Sequence, residues 1–165
     1  MNVEFREIGE FPRGTLLALL HDAYSFEPRY ERDWLENWRE TDAFFWENPR
    51  IARKCGFITA VDGRAIGFIT WDPQKLPVSA ELGHNCIATE YKGKKLGKAQ
   101  LNEALRRICL QPVGKIRVTT DRALMPAQRN YEGAGFRLIA TRANSFYAEY
   151  AGDLMDYELI VEQHE

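Results

Sequence analysis

Apolar positions along this chain switch between a spacing of two and a spacing near 3.6, and the switches mark out its elements. Val3, Phe5 and, after a slip, Ile8 predict a short first strand. Pro12, whose fixed φ suits a first helical turn, opens a helix carrying Leu16, Leu17, Leu19, Leu20 and Ala23, which ends over Tyr24 to Pro28. A second helix is expected from about Arg32 to Glu47, where Trp34, Trp38, Phe45 and Trp46 approach helical spacing between acids, and Pro49 stops it. Cys55 to Val61 and Ala65 to Trp71 read as strands joined by Asp62-Gly63, a tight-turn pair that makes them a hairpin. Ala80 to Ala88 predicts a further strand, Lys95 to Cys109 a helix with Leu101, Leu105 and Ile108 on one face, and Lys115 to Thr120 another strand. Pro126 starts a short helix that Gly135 closes, and Phe136 to Thr141 and Leu154 to Val161 are two last strands joined by a loop carrying Gly152 and Asp153. The order β-α-α-β-β-β-α-β-α-β-β describes a mixed α/β chain without repeats, and its 165 residues suit a single domain over 1–165.

Composition narrows the function classes. A formal net charge of −2 gives no general attraction to nucleic acid or to anionic membranes, so any basic surface is local. Cys55, Cys86 and Cys109 lack the close pairing of zinc or redox sites; they read as reduced core or near-core thiols, and no metal is expected. The first residues hold acids and no apolar run, and no later stretch nears the ~18 apolar residues of a membrane span, so the expected location is cytoplasmic. Oligomeric state is not legible; a homodimer is the commonest closed assembly.

The densest chemical signal is Tyr91-Lys92-Gly93-Lys94-Lys95-Leu96-Gly97-Lys98. Two glycines permit close backbone approach, the lysines supply charge, and a helix begins inside the segment, so its free N–H groups and dipole favour an anion. Triphosphate and dinucleotide motifs do not fit. Three residues rather than four separate Gly93 from Gly97-Lys98, Ala99 stands where Ser or Thr would follow, and Gly-x-Gly-x-x-Gly is absent. A solvated basic loop capping a helix is the bland alternative.

With the strand before it and the helix after it, this segment resembles the coenzyme A signature Q/R-x-x-G-x-G/A of the GNAT superfamily of N-acetyltransferases. It stands here as Lys92-Gly93-Lys94-Lys95-Leu96-Gly97, with Lys92 in place of Gln or Arg and Lys95 in place of the first signature glycine. Lys95 fits if its backbone keeps an ordinary helical φ. A second signature, Tyr then Gly-Phe, appears as Tyr131 and Gly135-Phe136; Leu124 stands where many members carry a cofactor-touching Asn, and Asn130 where an apolar residue is usual. The resemblance is strongest over Cys55 to Phe136. It implies a GNAT-like fold with about four helices around a mixed, mostly antiparallel sheet splayed between its fourth and fifth strands. It further implies acetyl-CoA as cosubstrate, with pantetheine contacts from backbone near Cys86, Ile87 and Ala88. Amides of Lys92, Gly93, Lys94, Lys95, Leu96, Gly97 and Lys98 would then hold the diphosphate.

Acetyl transfer to an amine needs a neutral amine, an oriented thioester with a stabilised oxyanion, and a proton for the departing thiolate. Glu81 lies eleven residues before Lys92, the register at which the histone-acetylating branch of the family carries its general base. Strand alternation puts Glu81, Gly83 and Asn85 on one face and Leu82, His84 and Cys86 on the other, though a bulge would change this, so Glu81, His84 and water all stay open as base. The resemblance makes Tyr131 the general acid and a backbone N–H near Ile87 the oxyanion donor. Tyr24, Phe26, Tyr30, Trp34 and Trp38, with Phe146, Tyr147 and Tyr150, could wall an acceptor cleft for a small-molecule or peptide amine, or simply pack. The expected activity is direct N-acetyl transfer to a primary amine in a ternary complex. The alternative is a noncatalytic acyl-CoA-binding or regulatory domain of the same fold.

Overall fold

A computed structural model describes residues 1–143 and 153–162. Phe146, Tyr147, Tyr150 and Gly152 lie outside the described residues. The chain forms strand β1 (Val3–Arg6), helices α1 (Thr15–Ala23), α2 (Pro28–Glu47) and α3 (Pro49–Lys54), and strands β2 (Gly56–Val61), β3 (Arg64–Asp72) and β4 (Ser79–Ile87). Helix α4 (Leu96–Ile108), strand β5 (Lys115–Asp121), helix α5 (Met125–Gly133), and strands β6 (Arg137–Ala143) and β7 (Asp153–Ile160) complete it. The seven strands run in the order β1-β2-β3-β4-β5-β7-β6. β1 pairs antiparallel with β2, as β2 does with β3, β5 with β7 and β6 with β7, and β4 with β5 is a parallel pair. That parallel ladder spans Ser79–Lys115, Ala80–Ile116 and Glu81–Arg117, whereas β4 runs on to Ile87 and β5 to Asp121.

Several boundaries differ from the sequence pattern for local reasons. Pro12 lies in a turn rather than in α1, because Gly14 takes φ +94° and the helix begins after it. α2 starts at Pro28 rather than Arg32, with the Glu27 carboxylate accepting from the Arg29 N–H. Pro49 ends α2 and also opens α3, a helix absent from the pattern: the residue whose ring forbids a preceding turn is well suited to a first one. Among the described residues there are thus five α-helices rather than about four. Cys55 and Cys86 are buried as expected, but Cys109 is exposed.

Two compact units divide the chain, Met1–Thr70 with His84–Glu103, and Trp71–Gly83 with Ala104–Glu165. In the first, β2 is buried at every position, so its run Gly-Phe-Ile-Thr-Ala-Val is apolar on both faces rather than alternating. Phe57, Ile58, Ile66, Phe68 and Ile69 are fully buried there, and Leu16, Leu19 and Leu20 of α1 and Trp38 of α2 are buried in the same unit. Asp42 on α2 is buried too, and its carboxylate accepts from the N–H groups of Gly14 at 3.0 Å and Leu17 at 3.2 Å. It satisfies amides at the start of α1 that Gly14, lacking a side chain, cannot.

In the second unit Ile116, Val118 and Tyr157 make the inner face of the β5–β7 pair, with Val118 opposite Tyr157. The outer face carries a cross-strand charge ladder: Arg142 to Asp156 at 2.8 Å, Thr119 to Asp156 at 2.6 Å and Arg117 to Glu158 at 2.9 Å. Arg142 holds the Asp156 carboxyl below its usual range through a hydrogen bond, and in turn its own guanidinium is held above. Exposed pairs of this kind add little stability each but fix strand register.

Candidate active site

β4 carries the candidate chemistry. Ala80, Leu82 and Cys86 are buried, while Glu81 and Gly83 are exposed, so the predicted alternation of faces holds along the first part of the strand. Its later residues belong to the first unit and Glu81 to the second.

In the first unit the His84 Nε2 lies 3.1 Å from the Thr41 hydroxyl on α2, and the His84 backbone N–H donates to the Thr70 hydroxyl at 3.2 Å. The ring lies 6.2 Å from that of Phe68. Removal from water pushes the imidazole down to about 4, so His84 is neutral at physiological pH and held by a neutral partner. Burial likewise pushes the Cys86 thiol up to about 12, which keeps it protonated and inert. The Ala88 N–H donates to the Ile66 carbonyl at 2.7 Å, tying the end of β4 to β3.

Beyond β4 the chain makes a short 3-10 turn, Thr89–Tyr91, and enters the lysine loop. This segment is bolted to the C-terminal end of α1. The Thr89 N–H donates to the Asp22 carboxylate at 2.8 Å and its hydroxyl to the Asp22 carbonyl at 2.9 Å. Lys92 donates its ammonium to the Ala23 carbonyl and sits 4.7 Å from the centre of the Phe26 ring. Partial burial lowers the Lys92 ammonium, and Asp22 acts in the opposite sense. The side chain at the signature's Gln/Arg position is therefore engaged with α1, so any part Lys92 plays toward a diphosphate falls to its backbone. Phe26 also packs on Tyr30 at 5.7 Å, and Tyr24 stacks on Trp38 at 5.7 Å. This aromatic group is already satisfied by its own members and by Lys92, which favours packing over an open cation-binding wall.

Gly93 has φ +79° and Lys95 φ +63°. The condition under which Lys95 would fit easily, an ordinary helical φ, is not met: Lys adopts the left-handed conformation that glycine would take without strain. Leu96, 3% exposed, explains why the backbone stays there, since it is packed against Val61 and Ile66 and fixes where α4 begins. The Lys95 carbonyl accepts from the Ala99 N–H at 3.2 Å as the first bond of that helix. Lys94, Lys95 and Lys98 are exposed, and their charges stand at the positive end of α4, where they gain only if an anion is present. Lys95→Gly is expected to stabilise the protein by about 0.5–1 kcal/mol, the left-handed strain less the entropy of glycine. Urea denaturation reads this directly, and an unchanged or lower midpoint contradicts it.

In the second unit Glu81 is exposed, in register with Arg117 and within electrostatic reach of Arg142. Tyr131 on α5 is 3% exposed, with its ring 5.6 Å from Phe136 and 6.1 Å from Tyr157. Gly135, φ +101°, makes the turn that returns Phe136 onto Tyr131, whose carbonyl accepts from the Phe136 N–H at 3.0 Å. The Tyr157 hydroxyl donates to Glu132 at 3.0 Å, and its phenol is raised by burial and by that carboxylate. Leu124 precedes α5, and its carbonyl accepts from the Gln128 N–H.

Sequence reasoning missed Gln100, a polar residue on an amphipathic helix that is fully buried against β2, β3 and β4. Its signal is spacing: four residues after Leu96 and one before Leu101, it lies on the buried stripe of α4.

The same fold occurs in known proteins. The chain is similar to ribosomal-protein-S18-alanine N-acetyltransferase from Escherichia coli, at 16% identity over 99% of this chain and 96% of that one, with a TM-score of 0.74. It is similar to PaiA N-acetyltransferase from Thermoplasma acidophilum, whose structure holds coenzyme A, at 18% identity over 94% and 98%, TM-score 0.75. Ard1 from Thermoplasma volcanium gives 18% identity over 99% and 100%, TM-score 0.75. No curated protein matches the sequence. At such identities these likenesses show the fold alone. Among the described residues no helix is long and apolar enough to cross a membrane. The acetyltransferase (GNAT) family model matches residues 17–136, from α1 through both signatures to Phe136, and the chain belongs to that family of acetyltransferases.

Proposed function

We propose that the protein transfers the acetyl group of acetyl-CoA directly to a primary amine within a ternary complex. The observation that carries this reading is the Lys92–Lys98 loop, whose left-handed Gly93 and Lys95 lead into the start of α4, where the first amides have no intrahelical acceptor, beside three exposed lysines. Turned amides, a helix N-terminus and cations together suit a diphosphate. Family membership implies acetyl-CoA as its source.

In this reading backbone groups at Cys86, Ile87 and Ala88 receive the pantetheine arm, and amides from Lys92 to Lys98 the diphosphate. The amine nitrogen attacks the thioester carbonyl, forming the C–N bond, and the C–S bond breaks with the electron pair going to sulfur. Glu81 takes the amine proton, directly or through water, and Tyr131 supplies one to the thiolate. His84, neutral and held by Thr41, offers a hydrogen bond rather than charge.

Calorimetry at low salt should detect acetyl-CoA binding that weakens as salt rises, because the loop contributes by charge. Thiol release across a panel of amines should then reveal an acceptor. Absence of acetyl-CoA binding sinks the reading, and wild-type turnover in Glu81→Gln returns the amine proton to His84 or water.

A further inference from the structure

We propose that Gln100 is a positioning residue that aims the Ile87 N–H at the thioester carbonyl, an inference that rests on the acetyltransferase reading above. Gln100 is 0% exposed. Its Nε2 lies 2.9 Å from the Phe68 carbonyl, 2.8 Å from the Asn85 Oδ1 and 3.2 Å from the Cys86 carbonyl, three acceptors that share its two N–H groups. Its Oε1 accepts from the Thr59 hydroxyl at 2.7 Å. Two backbone carbonyls at one end, which can only accept, leave a single consistent orientation of the amide, with nitrogen toward β3 and β4 and oxygen toward β2. One side chain thus ties three strands where β4 approaches the lysine loop.

The consequence follows from the planar trans peptide. Cys86 C=O and Ile87 N–H belong to one peptide unit and point in opposite directions. Drawing the Cys86 carbonyl onto Gln100 therefore turns the Ile87 N–H away from Gln100. Gly67 makes the draw feasible. A Cβ at Gly67 would stand 2.6 Å from the Cys86 oxygen, 2.7 Å from Ile87 Cδ1 and 2.8 Å from Gln100 Oε1. The next peptide is fixed as well, because the Ala88 N–H donates to Ile66 at 2.7 Å. Ile87 thus presents its N–H from a backbone fixed on both sides, which is what a preorganised oxyanion donor requires. An apolar side chain could fill the space of Gln100, but it could not orient that peptide.

The test uses acetyl-CoA labelled with 13C at the carbonyl, so no acceptor is needed. Bound to the wild type, the carbonyl resonance should move downfield of the free ligand, reporting polarisation by an N–H. Gln100→Leu should lose most of that displacement and lower intrinsic thiol release about 10-fold, the scale of a misaimed rather than deleted donor. Its affinity for free CoA, which has no acetyl carbonyl, should change less than about 3-fold; a merely structural role would move both ligands alike. Thr59→Val, which removes only the hydrogen bond that the Gln100 oxygen accepts and so loosens the side chain's hold, should show a partial loss of the displacement and serves if Gln100→Leu does not fold. A folded variant of either kind that binds CoA and keeps the full wild-type displacement overturns the proposal. So does a wild type that binds acetyl-CoA with no displacement. Wild-type protein that binds no acetyl-CoA sinks the acetyltransferase reading itself, and this inference with it.

Discussion

Replacing Tyr131 by phenylalanine is expected to lower kcat for acetyl transfer about 100-fold while leaving acetyl-CoA affinity within about 3-fold, the low end of what a general acid contributes. The magnitude follows from acidity. An ordinary phenol near pH 10 is a weaker acid than an ordinary thiol at about 8.5, so full proton transfer to the leaving thiolate is uphill by about 2 kcal/mol. Tyr131 then helps by a hydrogen bond that strengthens as charge develops on sulfur, and water can stand in for part of that. The ring is fixed on two sides, by Phe136 and Tyr157, so removing one oxygen should not repack the second unit. Steady-state kinetics with the best amine of the panel, beside calorimetry of acetyl-CoA, separates the two parameters. Turnover within 2-fold of wild type removes Tyr131 from the acid role. A parallel fall in affinity would instead mean that the hydroxyl supports the fold of α5.

Most of the architecture was legible because its signals are local. Asp62 and Gly63 announce a hairpin by residue type, and they take φ +50° and +82°. The stripe of Leu101 and Ile108 on α4 and the return at Gly135 are equally short-range, and each is present. What could not be read depends on contacts distant in sequence or on a residue that disguises its conformation. Lys95 is the clearest case: a glycine there would have advertised a left-handed backbone, whereas lysine gives no sign of it. Lys92 reads as a phosphate ligand until Ala23 and Phe26, far back along the chain, are seen to hold it. Asp42 and Gln100 look like solvated positions on amphipathic helices, yet each is buried with partners on other elements. Pro49 failed for the opposite reason, since one local rule served both to end a helix and to begin the next.

The same logic gives Gly67→Ala the largest expected effect on stability. A methyl group there would lie 2.6 Å from a backbone oxygen, well inside van der Waals contact, so relief cannot come from rotating a flexible side-chain tip. Either the Cys86 carbonyl gives up Gln100, leaving buried polar groups short of partners, or β3 shifts against fully buried Phe68 and Ile66. The first costs about 1–3 kcal/mol per unsatisfied group and the second about the same in overpacking, so a loss of about 3 kcal/mol is expected. Urea denaturation should show a lower midpoint at an unchanged slope, because the damage is to the native state rather than to the denatured chain. A loss below about 1 kcal/mol would show that β3 and β4 separate easily at this point. The two routes of relief differ in what survives. If the carbonyl is displaced, the folded fraction of Gly67→Ala should reproduce the carbonyl-resonance defect of Gln100→Leu; if β3 shifts, stability falls while the bound thioester remains polarised. The orientation of the Ile87 peptide and the closeness of β3 to β4 are then separable properties of one glycine.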